Sequence, residues 1–541
     1  MKVADFFCGA GGFSEGFRQA GFEISFALDI WTPAINTFRA NKPGAKVVAM
    51  NIIELAELED SEFHTIIPDT EIIIGSPPCV AFSSSNKSGN GDKGLGLELV
   101  KSYLKIIARK KFKENSRLRY WILENVPNSE RYIQDSYTSK ELGLPGDLVL
   151  HVKNSNSKVY NAKYFSVPSS RSRYICGDFP KPIQTNNDDD VITLQEVLSN
   201  LHDPKASDTS VIINDINYPT LSMPIHSISD HHYLSIVEDY DWKIARQLKV
   251  DHGYMGKMSF PERLDKPART IMATMSARSR ESMILGYKKG QYRLPTVREI
   301  ASLMSFPIDY RFYGSSISTK YRLVDNAVPP KMSFAFAKAI CKAEALEIPK
   351  VYKRIVHDQN ISFHNLNNLE ILRISEKQKR IDAKFRQHIP NLKIKSFRIE
   401  LNNYQSDFQR NNLIWSLILH YGQGKERARK LFFDAMIMEL DEKYDKEIHL
   451  FIQKISKKLC SFNELQKRYC MTASDRGSLL GPSELLEMIG NYVADMKLVE
   501  ESISILYQEK PVKIPFKIVF AFNLLQNILL KMRGYSDGCS D

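Results

Sequence analysis

Gly75-Ser76-Pro77-Pro78-Cys79 places a cysteine after two prolines at the end of an apolar run, and Cys79 is a candidate nucleophile. Residues 71–75 read as a buried strand. A loop at a strand's carboxyl end offers the partial exposure and depressed pKa that thiolate chemistry needs. A buried, inert cysteine is the other reading, and the usual fate of that residue type. The rigid prolines and the small, polar loop at 83–96 weigh toward the reactive one. Glu124-Asn125-Val126 ends a second apolar run, where a carboxylate acts as a hydrogen-bonding acid or merely caps a helix. Arg171 and Arg173, two apart in an extended segment, point to one side. They suit a phosphate or a carboxylate, or form a plain charged strand. Gly9-Ala10-Gly11-Gly12 joins a strand to a helix, as where backbone approaches a nucleotide-like ligand, with tight packing as the alternative. It is not GxGxxG and carries no P-loop lysine, which argues against a triphosphate. Asp29, ending the next strand, stands where such folds hold a ribose, or caps a helix.

These residues need a parallel sheet to bring strand ends together. The first 130 residues alternate short apolar runs with helical patterns, the signature of βαβ units. Strands are expected at 3–7, 24–28, 71–75 and 120–123, and helices from 14, at 33–40 and around 98–110. Residues 178–262 lose this rhythm and read as an irregular, mostly non-helical module. Helical patterns return in 293–341. After 345 long 3.6-residue periods dominate, at 369–385, 411–419, 427–440, 446–459, 483–496 and 518–532. They predict a separate all-α domain over 346–541.

Composition fits a folded protein: 541 residues, 43% hydrophobic and 25% charged, which excludes disordered, collagen-like and coiled-coil chains. Seven cysteines without a CxxC pair point to a reducing compartment and away from structural zinc; no metal site is expected. The start of the chain lacks the basic and apolar stretches of a secretory signal. The apolar segment 514–530 is broken by Lys517, Asn523, Gln526 and Asn527, so no membrane span is expected. A net charge of +11 is compatible with a nucleic-acid partner. Residues 361–430 concentrate it, with 14 Lys and Arg against 6 Asp and Glu. That stretch is a polyanion-facing surface or a solvated face.

In order along the chain, DFFCGAGGFSEGF, GSPPCVAFSSSN, ENV, VPSSRSR, ARTI and VDNAVPP resemble the blocks of the DNA cytosine-5 methyltransferase family over roughly residues 1–345. The resemblance implies an α/β fold with a Rossmann-like, S-adenosylmethionine-dependent methyltransferase sheet. The catalytic domain then covers 1–177, and a small target-recognition region with its framework covers 178–292. Return helices at 293–345 complete the catalytic domain. S-adenosyl-L-methionine is the implied cofactor. Phe6, Gly9, Ala10, Gly11 and Gly12 would line it, with Asp29 on the ribose, Ile30 on the adenine face and Asn51 and Ile52 at its edge. Pro78, Leu99, Asn326 and Val328 would complete the pocket.

The implied reaction is methylation of carbon 5 of a flipped-out cytosine in duplex DNA. Cys79 would add to carbon 6, Glu124 would bond N3 and the exocyclic amine, and Arg173 with Arg171 would orient base and acid. The loop 83–96 would close over the base, and Arg269 and Thr270 would support the recognition region. Three positions depart from the family pattern: Ser169 where Gln is usual, Asp325 where Gly is usual, and Asn51 where Asp is usual. They bear on cofactor affinity and loop geometry more than on Cys79 or Glu124. Double-stranded DNA is the implied partner, in a cytoplasmic, nucleoid-associated setting. The domain after 345 would add phosphate contacts through Lys377, Lys379, Arg380, Arg386, Lys393, Lys395 and Arg398, or dock a restriction or defence protein. A tRNA-methylating relative and a DNA-binding regulator that keeps the fold are the alternatives.

Overall fold

The computed structural model describes all residues except 79–92, 206–209, 251–257, 273–274, 277–278, 289, 368–371, 375–377, 391, 393, 395–396, 422–428, 432–441, 497–501, 508–509 and 536–541. The chain forms two compact units, Met1–Ser375 and Glu376–Asp541.

The first unit is built on a seven-stranded sheet. Its strands are β1 (Lys2–Phe6), β2 (Glu23–Asp29), β3 (Lys46–Ala49), β4 (Ile72–Gly75), β5 (Tyr120–Asn125), β6 (Lys158–Asn161) and β7 (Ser172–Asp178), in the order β3-β2-β1-β4-β5-β7-β6. The first five pair in parallel, and β7 runs antiparallel to both β5 and β6. Central strands read as unbroken apolar runs because both sheet faces are covered: Ile72, Ile73 and Ile74 have almost no exposed surface. The direction of strand order reverses between β1 and β4, so a crevice is expected at their carboxyl ends. Helix α1 (Gly12–Gln19) leaves β1 and packs on α2 (Pro330–Ala343), which brings the late segment back to the sheet. Gly16 permits this approach, since a Cβ there would lie 2.4 Å from the Phe334 nitrogen and the Pro330 oxygen.

The irregular stretch carries short strands and the helices Leu194–Leu201 and Asp239–Val250. Arg269, beyond them in the chain, pairs with Glu262 at 3.0 Å. Ala268–Arg269 pairs in parallel with Ser169–Ser170, and the Thr270 hydroxyl donates to the Ser170 oxygen at 3.0 Å. The segments on either side of the irregular stretch are thereby joined directly.

Two expectations for the C-terminal part are corrected. First, residues 346–375 belong to the first unit. Leu372–Ile374 pairs in parallel with Ser235–Val237, and Asp230 receives both Lys320 (2.6 Å) and the Leu366 N–H (3.0 Å). Second, the second unit is not all-α. A four-stranded antiparallel sheet orders Arg386–His388, Arg398–Asn402, Ser416–Tyr421 and Arg429–Leu431, and a hairpin pairs Ser502–Tyr507 with Lys510–Pro515. The reason is period: Ile399, Leu401 and Leu419 are buried on one face while Glu400 and His420 alternate to the other. The short apolar run 413–419 satisfies a helical or a strand template equally, and pairing decided it. The later helical patterns form helices, Glu442–Ile455, Pro482–Asp495 and Phe516–Arg533, which share a core with the sheet. Among the described residues, no helix is long and apolar enough to cross a membrane.

Candidate active site

The candidate groups gather at the carboxyl edge of the first unit's sheet. After β1 the chain turns through Phe7, Gly9 and Gly11 at positive φ (56°, 53° and 82°). Glycine relieves two of these three positions, and open space faces Gly9, whose Cβ would meet only the Phe7 oxygen at 4.0 Å. The Asp29 carboxylate braces the turn. It accepts the Gly9 N–H at 2.9 Å on one oxygen and the Ile30 and Trp31 N–H groups at 2.8 and 2.9 Å on the other. Burial pushes Asp29 above the usual carboxylate range, and these three N–H bonds oppose that. Ile30, next to Asp29, is a large apolar side chain left 70% exposed.

Other pocket residues divide. Phe6 has no exposed surface and packs its ring on Phe26 and Tyr103, and Ile52 lies in the same core, so neither side chain is free to touch a ligand. Phe7, next in the chain, is half-buried at the turn and packs partly against the same core. Asn51 caps the helix Ile52–Glu57 by accepting from the Ile53 N–H at 3.1 Å. Gly12 faces the Val328 oxygen, 2.3 Å from where a Cβ would sit, so it serves helix packing. Pro78 and Asn326 are exposed, Leu99 is half-buried, and Val328 is buried.

Of the catalytic candidates, Glu124 sits on β5 and Arg173 on β7, with Arg171 just before β7. Glu124 is 6% exposed, and its Oε1 meets Arg173 Nε at 3.0 Å. Burial raises its pKa, while Arg173 and Arg171 pull the other way without overcoming it. Arg171 turns elsewhere. It donates to the Asp325 and Ala327 carbonyls at 2.7 and 3.4 Å and faces the Asp325 carboxylate at 3.5 Å. The unusual Asp325 is therefore neutralised by an arginine of the neighbouring block. Asn125 has a part that its sequence context did not reveal. Its Nδ2 donates to the Pro77 carbonyl at 3.0 Å, two residues before Cys79, and its Oδ1 accepts the Val126 N–H at 2.8 Å. Ser76 ties the other side of that turn to the Phe6 and Phe7 carbonyls, at 3.2 and 3.3 Å. Cys79 and most of the loop 83–96 lie outside the described residues.

Beneath the glycine turn lies a support that local sequence could not announce. Tyr310 donates its hydroxyl to the Ala10 carbonyl and accepts Lys42 Nζ at 2.8 Å. Lys42 pairs with Glu15 at 3.4 Å, which Arg18 also holds at 2.7 Å. Lys42 and Tyr310 lie 268 residues apart, so no spacing signal links them.

In the second unit, Arg380 pairs with Asp382 at 2.8 Å, Arg386 with Glu400 at 2.7 Å, and Lys379 lies over the Tyr469 ring. Three of the expected phosphate contacts thus have partners within their own unit. Lys377, Lys393 and Lys395 lie outside the described residues.

A sheet whose first five strands run parallel, with a glycine turn after the first, an acid ending the second and an acid–arginine pair at the end of the fifth, is of the Rossmann-like class, whose crevices hold nucleotide-like cofactors. The profile of the C-5 cytosine-specific DNA methylases matches residues 1–342, and the chain belongs to that family. It is a DNA cytosine methyltransferase, and membership implies S-adenosylmethionine as methyl donor. The chain is 28% identical to the Type II methyltransferase M.MthTI of Methanothermobacter thermautotrophicus, over 63% of this chain and 97% of that protein. It is 43% identical to M.HgiGI of Herpetosiphon aurantiacus over 108 residues, 20% of this chain and 82% of that one. Among solved structures, a Spodoptera frugiperda DNMT2 mutant aligns with TM-score 0.40 and 18% identity, over 63% of this chain and 99% of that chain.

Proposed function

We propose that this protein methylates carbon 5 of a flipped-out cytosine at a specific sequence in duplex DNA, through a covalent adduct of Cys79, as a Type II modification enzyme. The observation that carries the reading is the buried Glu124–Arg173 pair at the end of β5, beside the Pro77–Pro78 turn that Asn125 fixes. The target atom is inaccessible in a stacked duplex, so the base must leave it. The Cys79 thiolate adds to carbon 6, and the ring's electrons move toward carbon 5 and N3. Glu124, whose carboxyl burial pushes above its usual range, donates to N3 and accepts from the exocyclic amine as charge develops. Arg173 holds the carboxyl in that orientation. Bound S-adenosylmethionine supplies an electrophilic methyl group to carbon 5. Loss of the carbon 5 proton to a base, with a water as the simplest acceptor, then lets the carbon 6–sulfur bond break, returns the Cys79 thiolate and gives the N3 proton back to Glu124.

The crevice residues suit that cofactor. Asp29 retains acceptor capacity on the oxygen that takes only Gly9, a match for ribose hydroxyls, and exposed Ile30 offers an apolar surface to adenine. Gly9, with open space before it, and half-buried Phe7 line the turn toward the methionine portion. Leu99, Asn326 and Val328 stay in the proposal as flanking positions, Phe6 and Ile52 as backbone only. Residues 178–292 read the target sequence. The second unit contacts DNA or a restriction or defence protein, and the setting is the cytoplasm with its nucleoid.

The test is transfer of labelled methyl from S-adenosylmethionine to unmethylated duplex DNA and, separately, to tRNA, with Cys79→Ala beside the wild type. Label on DNA cytosine that vanishes in the variant supports the reading. Label on tRNA alone moves the enzyme to RNA. DNA binding without label on either substrate makes the protein a regulator.

A further inference from the structure

One face of the second unit's sheet carries a cluster that the methyltransferase reading leaves unused. His388 and Glu400 are direct cross-strand neighbours. Glu400 pairs with Ile418 on the next strand, and His420 lies two residues further on the same face. The opposite face, with Ile399, Leu401 and Leu419, belongs to the core. Two imidazoles and a carboxylate therefore converge from three adjacent strands.

Their donor atoms all lie within 4.8 Å of one another. His420 Nε2 is 2.9 Å and His388 Nε2 3.9 Å from Glu400 Oε2. A zinc-type ion about 2.0–2.2 Å from each of three ligands sets them roughly 3–4 Å apart. The present spacing needs only small side-chain rotations to meet that.

An ion-pair network explains part of the cluster, since Arg386 also bonds Glu400 Oε2 at 2.7 Å. It does not explain His388. Its Nε2 faces the carboxylate at 3.9 Å, beyond hydrogen-bond reach, while the Ile399 backbone stands beside the ring. An imidazole aimed at a carboxylate it does not bond, with a second imidazole already on that oxygen at 2.9 Å, is the spacing a shared ion between them accounts for. We propose that His388, Glu400 and His420 bind one divalent transition-metal ion of the zinc type. Arg386 is the outer partner that orients the carboxylate, as metal-ligating carboxylates commonly require. Three protein ligands leave a further coordination position, and His388, 38% exposed on its side chain, is where solvent enters. Mixed nitrogen and oxygen donors favour zinc, nickel or ferrous iron over magnesium or calcium.

The test uses the untagged full chain. It is stripped with chelator, dialysed against Zn2+ and assayed for metal by mass spectrometry, with Co2+ absorption as a second readout. About one ion per chain is expected, with visible Co2+ bands that shift on adding Zn2+. His388→Ala, at a half-exposed side chain, should lower the affinity at least a hundredfold while far-UV circular dichroism stays unchanged. Glu400→Gln should do the same. Failure of the folded wild type to retain metal after dialysis overturns the proposal and leaves an ion pair only. Undiminished binding in folded His388→Ala also overturns it, because the ion then sits elsewhere.

Discussion

Glu124 in the first unit and Glu400 in the second share a description: a carboxylate on a strand, nearly without exposed surface, beside an arginine. Their acidities diverge. Burial acts on both to favour the neutral form. For Glu400, His420 at 2.9 Å and Arg386 at 2.7 Å overcome it and hold the carboxyl down at about 2. For Glu124 the single bond to Arg173 and the charge of Arg171 fall short, and the carboxyl stays above its usual range. Asp5, at the base of the glycine turn, extends the series. It has a Ser14 hydroxyl at 2.6 Å and only the more distant charge of Lys42, and burial carries it to about 7. What separates the three is the number of charge-assisted hydrogen bonds together with the desolvation each must offset, which is smaller for Glu400 near the rim of its unit than for Glu124 or Asp5. A carboxyl left under-compensated can hold a proton for chemistry, while a fully compensated one is a permanent anion suited to structure or to a cation.

The sharpest way to break this comparison is Glu124→Gln. The amide keeps the shape and a hydrogen bond but cannot carry a proton that moves with the reaction. Methyl transfer should fall about 10²–10³-fold. Affinity for S-adenosylmethionine, measured by calorimetry, should stay within threefold. Activity retained within tenfold would show that Glu124 merely pairs with Arg173.

Asp5→Asn comes next and tests burial alone. The native carboxyl holds its proton more tightly than the unfolded one, so its contribution is complete below the ordinary value of 3.8 and lost as pH rises through about 7. By linkage the loss is on the order of 4 kcal/mol at most. The substituted amide can still accept from Ser14, so the variant should be the more stable protein at pH 8 and match the wild type near pH 4. Urea unfolding at the two pH values checks this, and equal differences at both would show Asp5 ionised throughout.

Glu400→Gln, measured in chelator so that no metal contributes, should destabilise the second unit by about 2 kcal/mol. Two charge-assisted hydrogen bonds weaken, but Arg386 is half-exposed and recovers solvent. Differential scanning calorimetry should show it as a lower transition temperature for that unit. No change would place Glu400 with the weak surface pairs.

The first unit was the more legible because its determinants are local. The glycine turn, Asp29 and the Pro77-Pro78-Cys79 block are each contiguous, and parallel strands bring such blocks to one edge. Arg173 was legible by its two-residue spacing from Arg171, although Arg171 turned out to hold the Asp325–Ala327 turn instead of the acid. Phe6 and Phe7 were not separable, because they are identical neighbours at a strand end and only the fold buries the first fully and leaves the second half-buried at the turn. Lys42 and Tyr310 meet only through the tertiary fold. In the second unit, His388, Glu400 and His420 are spaced by 12 and 20 residues, which matches no ligand motif. Antiparallel pairing creates the cluster, and the expectation of helices in that region concealed it.

The smallest effect belongs to Asp325, and it is the most exacting test of the series. Asp325→Gly restores the residue common in the family and removes one carboxylate 3.5 Å from Arg171. Arg171 keeps both carbonyl bonds, so stability should change by less than about 1 kcal/mol, the range of a weak ion pair. The charge of Arg171, no longer countered by Asp325, acts more fully on Glu124, for which it already lowers the pKa. In the proposed mechanism methyl transfer uses the protonated acid, so its rate should fall as pH rises through the pKa of Glu124. That limb of the pH–rate profile should therefore move to lower pH, with the maximal rate within twofold. Asp325→Asn should produce the same displacement without glycine's backbone freedom. A displacement in Asp325→Gly alone would assign the effect to the turn's flexibility. None in either variant would mean that Arg173 by itself sets the acidity of Glu124.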